Sequence, residues 1–211
     1  MSKFYTNLVL LGDDILYRGY EHGQRVQYRE RSSPVLFFVP KAQTKPTKFK
    51  TLDGRRAYKK QFSGAREARE VLKQYEDTDG LEVHGYERFV YQHINQQFPA
   101  DIDYDMSLMK IYTIDIEVAC ENGFPDVQAS AEEMLCLTIK DFNTKKIITW
   151  GTREFTPPEG VEYRVFWTEQ EMLQDFHKWW SDNTPDIITG WNNNLYDIPY
   201  ICRRMERVLG E

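Results

Sequence analysis

Cysteine is scarce in this 211-residue chain: three residues, at 120, 136 and 202, with no CxxC spacing. An odd, dispersed set builds neither a disulfide framework nor a zinc site, and it suits a reducing cytosol. The three are read as small, buried, apolar side chains. Long apolar runs are missing too. None approaches the roughly 18 residues needed to span a bilayer. The opening Met1-Ser2-Lys3-Phe4-Tyr5 lacks the apolar stretch and small-residue cleavage site of a signal peptide. The four histidines, at 22, 84, 93 and 177, are too scattered to read as ligands, and there is no internal repeat or low-complexity tract. Secreted, membrane and zinc-finger classes drop out. What is present is 41% hydrophobic and 14% aromatic residues, enough for a true core and too rich for a disordered tail. The length allows one large or two small domains.

Charge divides the chain. Residues 1–100 hold 17 Lys/Arg against 12 Asp/Glu, whereas residues 101–211 hold 10 against 21. Within the first half, 41–73 concentrates 11 basic residues against 3 acidic ones. A basic block beside an acidic half suggests two modules with different partners. The polar connector Pro99-Ala100-Asp101-Ile102-Asp103-Tyr104-Asp105 marks the boundary, giving domains over 1–105 and 106–211.

The first domain reads as α+β. Apolar stretches at 4–11 and 35–39, joined through Gly12, Gly19 and Gly23, predict antiparallel strands and turns. Ser63 is placed to cap a helix running to Tyr75, with Ala65, Ala68, Leu72 and Tyr75 as its apolar stripe. A further strand is expected around Arg88–Tyr91. The second domain reads as layered α/β. Strands are expected over Lys110–Val118, Met134–Phe142 and Lys145–Trp150, with an extended piece at Tyr163–Trp167. Thr168-Glu169-Gln170-Glu171 has the capping-box pattern, and the helix behind it carries Met172, Leu173, Phe176, Trp179 and Trp180 on one face. Pro185–Trp191 predicts a strand entering an Asn192-Asn193-Asn194 turn. A last helix runs from about Ile198 to Leu209, with Gly210 as its stop.

Two acidic motifs carry chemistry. In Ile114-Asp115-Ile116-Glu117 the carboxylates sit two apart on a strand, so both point to one face while the isoleucines point to the other. Adjacent carboxylates repel unless solvent or a cation separates them, and hard oxygen ligands suit Mg²⁺ or Mn²⁺. A solvated strand face is the other reading of this motif alone. The second motif, Thr189-Gly190-Trp191-Asn192-Asn193-Asn194-Leu195-Tyr196-Asp197-Ile198-Pro199-Tyr200, ends a strand and opens a helix on an acid. Ligand sites lie beyond the carboxyl ends of such strands. Alone, Asp197 could equally be a helix cap and the asparagines a turn.

Together the motifs resemble the first two exonuclease motifs of family B DNA polymerases. The residues from Asp115 to Pro125 and from Thr189 to Tyr200 look most like the polymerases of T-even-type (T4-like) bacteriophages. More loosely, Phe4-Tyr5, Gly12-Asp13, the Tyr58–Phe62 region and the Ala65–Tyr75 helix fit that family's N-terminal domain, so the resemblance spans the chain. It implies an N-terminal α+β domain followed by an incomplete ribonuclease H-like exonuclease domain that removes mismatched nucleotides from a primer 3′ end. It also implies two divalent metals, Mg²⁺ or Mn²⁺, bound weakly in an isolated fragment. Asp115 would bridge both metals, Glu117 would hold the one that activates water, and Asp197 would bind the other. Asn192 and Tyr196 match residues beside the single strand. Phe124 falls where related phage enzymes place an aromatic against unpaired bases, with loop packing before Pro125 as its other reading.

The third exonuclease motif, with the fourth carboxylate, and the nucleotide-adding palm motifs find no match up to Glu211. The expectation is therefore a split-gene product or fragment that acts with the C-terminal remainder of the polymerase, in the cytoplasm of an infected bacterial host. It would not polymerise DNA alone, and it would be a weak or inactive nuclease by itself. The competing expectation is a non-catalytic module that binds single-stranded DNA or RNA, or serves in assembly. In it, Lys59 and Lys60 of the basic block neutralise phosphates while Phe49, Tyr58 and Phe62 interleave with bases.

Overall fold

A computed structural model of the chain describes residues 3–42, 45–76, 78–85, 87–121 and 123–210. The chain divides into two compact units, Met1–Asp105 and Met106–Glu211.

In the first unit, β1 (Lys3–Leu11), β2 (Asp14–Glu21) and β3 (Gln24–Arg31) form an antiparallel meander. His22 and Gly23, both at positive φ (55° and 79°), make the tight β2–β3 turn, a conformation that matches the twist of paired strands. A second sheet has the order β5-β6-β4-β7, from β4 (Val35–Pro40), β5 (Phe49–Lys50), β6 (Arg56–Gln61) and β7 (Leu81–His84). Its helices are α1 (Ala65–Tyr75) and α2 (Phe89–Gln97). Leu36, Phe62, Ala65, Ala68 and Phe89 form the core here.

Two expectations for this unit are corrected. Residues 88–91 open helix α2 rather than a strand, because Phe89 and His93, one turn apart, are the buried positions. Burial at helical spacing overrides the strand preference of Phe-Val-Tyr. The strand nearby is β7, paired with β4. Ser63 does not cap α1: the N-cap is Gly64, and the Ser63 hydroxyl donates instead to Glu67 Oε2 at 2.7 Å. Asp13, in the β1–β2 turn, takes the free Arg66 N–H at 2.7 Å.

The second unit is a mixed sheet of order β11-β10-β9-β8-β12. Its strands are β8 (Ile111–Val118), β9 (Met134–Asp141), β10 (Ile147–Gly151), β11 (Val161–Val165) and β12 (Ile187–Thr189). The first three form an antiparallel meander, β11 lies parallel to β10, and β12 lies parallel to β8. Two helices, α3 (Glu169–Asn183) and α4 (Asp197–Leu209), pack on it. The capping box is formed, with Thr168 Oγ1 accepting the Glu171 N–H and Glu171 Oε2 accepting the Thr168 N–H, each at 3.2 Å. Tyr112, Ile114, Ile116, Leu137, Ile139, Ile148 and Trp150 meet Met172, Leu173 and Phe176 of α3 and Tyr200 and Ile201 of α4 in one core. Trp179 and Trp180 pack at its margin. Gly210 ends α4 at φ 78°, the left-handed stop that glycine supplies without strain.

The strand expected over 185–191 is only three residues long, with exposed side chains. The cysteines are also corrected: Cys120 and Cys202 are exposed, and Cys136 is half-buried. Among the described residues no helix is long and apolar enough to cross a membrane.

Candidate active site

The site begins with the alternation of β8. Ile114 and Ile116 are buried in the core, so Asp115 and Glu117 emerge on the opposite, exposed face. Cross-strand, Asp115 stands opposite Thr138 and Glu117 opposite Cys136, and the register shifts between Glu117 and Val118. Irregularities of this kind terminate pairing and re-aim side chains. Burial, then the Glu117 charge, pushes the Cys136 thiol up.

Asp197 reaches the same place from α4. It is the first residue of that helix, which packs on β8, and only 5% of its surface is exposed. Its carboxyl is held above the ordinary range by burial, with the Asp115 charge adding to the shift, while the N–H groups of Asp197 and Ile116 oppose it. Asp115 and Asp197 are thus close enough to repel. A hard divalent cation suits such a pair in kind, because it offsets their mutual repulsion. Among the described residues no group of three Cys, His, Asp or Glu side chains is gathered as a metal ion requires. Geometry alone therefore does not assign a third ligand.

The turn before α4 brings Asn192 and Tyr196 together. The Asn192 carbonyl accepts the N–H groups of Leu195 at 3.0 Å and Tyr196 at 2.9 Å. Burial raises the Tyr196 hydroxyl, followed by the charges of Asp197, Cys120 and Glu117. Phe124 lies against this tyrosine, ring centroids 5.1 Å apart, and Tyr196 in turn lies 5.7 Å from Tyr200. With 81% of its surface exposed, Phe124 is the free end of an aromatic row rather than a packed loop residue.

Lys59 and Lys60 belong to β6 in the first unit, where both are exposed. The aromatics that interleave with them are used in packing. Phe62 is buried, the Tyr58 hydroxyl donates to the Lys45 carbonyl at 2.8 Å, and Phe49 sits edge-on to Phe37.

Sequence reasoning missed the connection that holds the site together. Arg204, buried on α4, forks onto Glu169 at the start of α3, with Nε to Oε1 at 2.7 Å and Nη2 to Oε2 at 2.6 Å. Its Nη1 donates to the carbonyls of Ser130 at 3.0 Å and Ala131 at 2.9 Å. Glu169 Oε1 also accepts the Met134 N–H at 2.8 Å, and the Tyr200 hydroxyl donates to the Glu132 carbonyl at 2.7 Å. The loop that presents Phe124 is thereby fastened to the helix that presents Asp197. A signal was available: Arg204 lies seven residues beyond Asp197, on the stripe that buries Tyr200 and Ile201, and a buried arginine requires a buried acid.

Comparison with known proteins bears on the same residues. The sequence profile described as "DNA polymerase family B, exonuclease domain" matches residues 87–210. The DNA-directed DNA polymerase of Escherichia phage RB69 is 26% identical over 237 residues, covering 100% of this chain and 26% of that protein. The DNA-directed DNA polymerase of Enterobacteria phage T4 is 26% identical over 238 residues, with the same coverage. The DNA polymerase catalytic subunit of Human herpesvirus 7 (strain JI) is 33% identical over 102 residues, covering 46% of this chain and 10% of that protein. The chain thus spans about a quarter of the length of its phage relatives.

Proposed function

This chain belongs to the family B DNA polymerase exonuclease domain family, and from that premise we propose that residues 106–211 carry a proofreading-type 3′–5′ nuclease site on a ribonuclease H-like fold. The mixed sheet, with its acidic interior strand β8 and two covering helices, supports the fold assignment. One observation carries the functional reading: Asp197 is buried at the start of α4, which packs on β8, and there it feels the charge of Asp115, so two sequence-distant motifs converge on one acidic point. In this reading the first unit, ending near Asp105, is the N-terminal domain, and polymerisation belongs to the rest of a longer polymerase acting inside an infected bacterium.

Asp115, Glu117 and Asp197 are the residues that would hold divalent cations, Mg²⁺ or Mn²⁺. Bound there, such ions supply Lewis-acid stabilisation of a phosphodiester and lower the pKa of an attacking water. The remaining work falls to the chain's own groups. Phe124, exposed on Tyr196, offers a stacking platform for an unpaired base, a contact worth roughly 1–3 kcal/mol. Asn192 and Tyr196 border the strand end, and the closed turn between them sets their spacing. Lys59 and Lys60 would attract single-stranded DNA non-specifically through its phosphates.

The test is degradation of a 5′-labelled single-stranded oligodeoxynucleotide with Mg²⁺ or Mn²⁺, comparing the wild-type chain with Asp115→Ala. Slow metal-dependent shortening from the 3′ end by the wild type, in keeping with a weak nuclease, is expected and should be lost in the variant. Equal shortening by both proteins would refute the site.

A further inference from the structure

Asn193 is the one asparagine of the 192–194 turn that is buried, with 8% of its surface exposed. Its backbone carbonyl is engaged, accepting the Ile198 N–H at 3.0 Å and so helping to start α4. Its side chain is not. Neither Nδ2 nor Oδ1 has a hydrogen-bond partner among the described residues, although both are shielded from solvent. The amide lies in a slot against Gly190, where a Cβ would stand 2.1 Å from Asn193 Oδ1. Such an arrangement is unfavourable twice over, since a buried donor and a buried acceptor each lose their hydration without compensation. Leucine, of similar shape, would fill the slot without that penalty. Folding alone does not favour asparagine here. A buried polar group left unsatisfied in a native fold calls for an explanation, and a ligand that completes it supplies one.

The chemistry narrows the ligand. A primary amide offers a donor and an acceptor side by side. A phosphate oxygen only accepts, so it would satisfy Nδ2 and leave Oδ1 bare. A sugar hydroxyl both donates and accepts. Asn193 stands four residues before Asp197, its carbonyl bonded to the N–H of Ile198 beside that acid, and Trp191 and Leu195 on either side in the sequence are exposed. We propose that Asn193 is a substrate-binding residue that recognises the terminal 3′-hydroxyl of a single DNA strand, its amide turning out from beneath Gly190 as the strand end docks. The proposal rests on the nuclease reading of the site and adds the group by which a strand end is told from an internal nucleotide.

The experiment measures binding of two 5′-fluorescein oligodeoxynucleotides that differ only in ending with a 3′-hydroxyl or a dideoxy terminus. Fluorescence anisotropy in EDTA prevents cleavage during the measurement. The wild-type chain is expected to bind the hydroxyl end about fivefold more tightly, the factor set by one net hydrogen bond. Asn193→Leu is expected to lose that preference and to melt roughly 2–4 °C higher. Asn193→Ser, which keeps a hydroxyl donor and acceptor in a smaller side chain, should retain part of the preference and serves if the leucine variant fails to fold. Equal binding of the two ends by the wild type would overturn the proposal, as would a folded leucine variant that keeps the preference or, where leucine does not fold, a serine variant that loses it entirely. In those cases metal-dependent degradation that Asp115→Ala abolishes would still stand. Absence of both binding and degradation would remove the nuclease reading as well.

Discussion

Glu169→Ala should destabilise the second unit far more than an average substitution, and the size follows from what it strands. Glu169 carries three of the interactions around Arg204: both arms of the guanidinium fork and the Met134 N–H. Both side chains are about nine-tenths buried, at 9% and 10% exposed. Removing the carboxylate leaves a buried guanidinium with only the Ser130 and Ala131 carbonyls and leaves the Met134 N–H without this acceptor. Breaking one side of such a pair costs about 3–5 kcal/mol. For a unit of this size that is a fall in Tm on the order of 10 °C or more. Thermal and urea unfolding followed by circular dichroism would measure it. The double variant Glu169→Met with Arg204→Leu removes both charges together. It should be less destabilised than the sum of the single changes by roughly 1–3 kcal/mol. It should not return to wild-type stability, because the Ser130 and Ala131 carbonyls and the Met134 N–H still lose their partners. A Tm change below about 2 °C for Glu169→Ala, or simple additivity in the cycle, would refute the claim that this pair fastens the loop.

Asp13→Ala should lower the stability of the first unit at neutral pH by a few degrees in Tm, because the α1 N-terminus loses its external cap. The Arg66 N–H, followed by the Arg31 charge, holds the Asp13 carboxyl below its ordinary value. The stabilisation is therefore present above the unfolded carboxylate pKa and disappears as pH falls through the lower folded value, so wild-type and variant melting curves should converge in acid. Asp197 behaves oppositely. Its folded pKa is raised, so its contribution is present below the unfolded value and lost as pH rises through the folded one. Asp197→Asn should melt about 2–4 °C above the wild type near neutral pH, with the gain shrinking in acid. Added Mg²⁺ should raise the wild-type Tm and not the variant's, narrowing the gap. A Tm gain independent of pH and Mg²⁺ would contradict the acid-pair account.

Local rules carried much of this fold. Period-two alternation placed Asp115 and Glu117 on the face opposite Ile114 and Ile116, and the capping box placed the start of α3 at its observed residue. Those signals are legible because each is complete within a few residues. Long-range contacts decided the rest. Phe-Val-Tyr at 89–91 has strand propensity, but its burial repeats at helical spacing, which only packing determines. Ser63 has the chemistry of a cap, but Asp13, about fifty residues earlier in the chain, reaches the Arg66 N–H instead. In the candidate site, the alternation that puts Asp115 and Glu117 on one face and the polar turn that closes before Asp197 were legible locally, whereas Phe124 was singled out only by the family resemblance. Arg204 and Asn193 were not, since the first is identified by a partner on another helix and the second by lacking one.

Taken together, these contacts suggest a division of labour along α4. Its first turn gathers groups that oppose one another: Asp197 against Asp115, and an unsatisfied Asn193 just before the helix begins. Left to local preference, that turn would move away from β8. Further along, the same helix places Tyr200 in the core and, two turns from Asp197, Arg204 in its fork with Glu169, and both also bind the loop over 130–132. Because helix, loop and α3 are joined at that point, the strained end cannot relax without disturbing the stable one. A site that holds like charges together before any ligand arrives needs such an anchor close by but outside the chemistry. Separate variants at the two ends of one helix should therefore have opposite effects: stability rises and binding falls at Asn193 and Asp197, whereas stability falls first at Glu169 and Arg204.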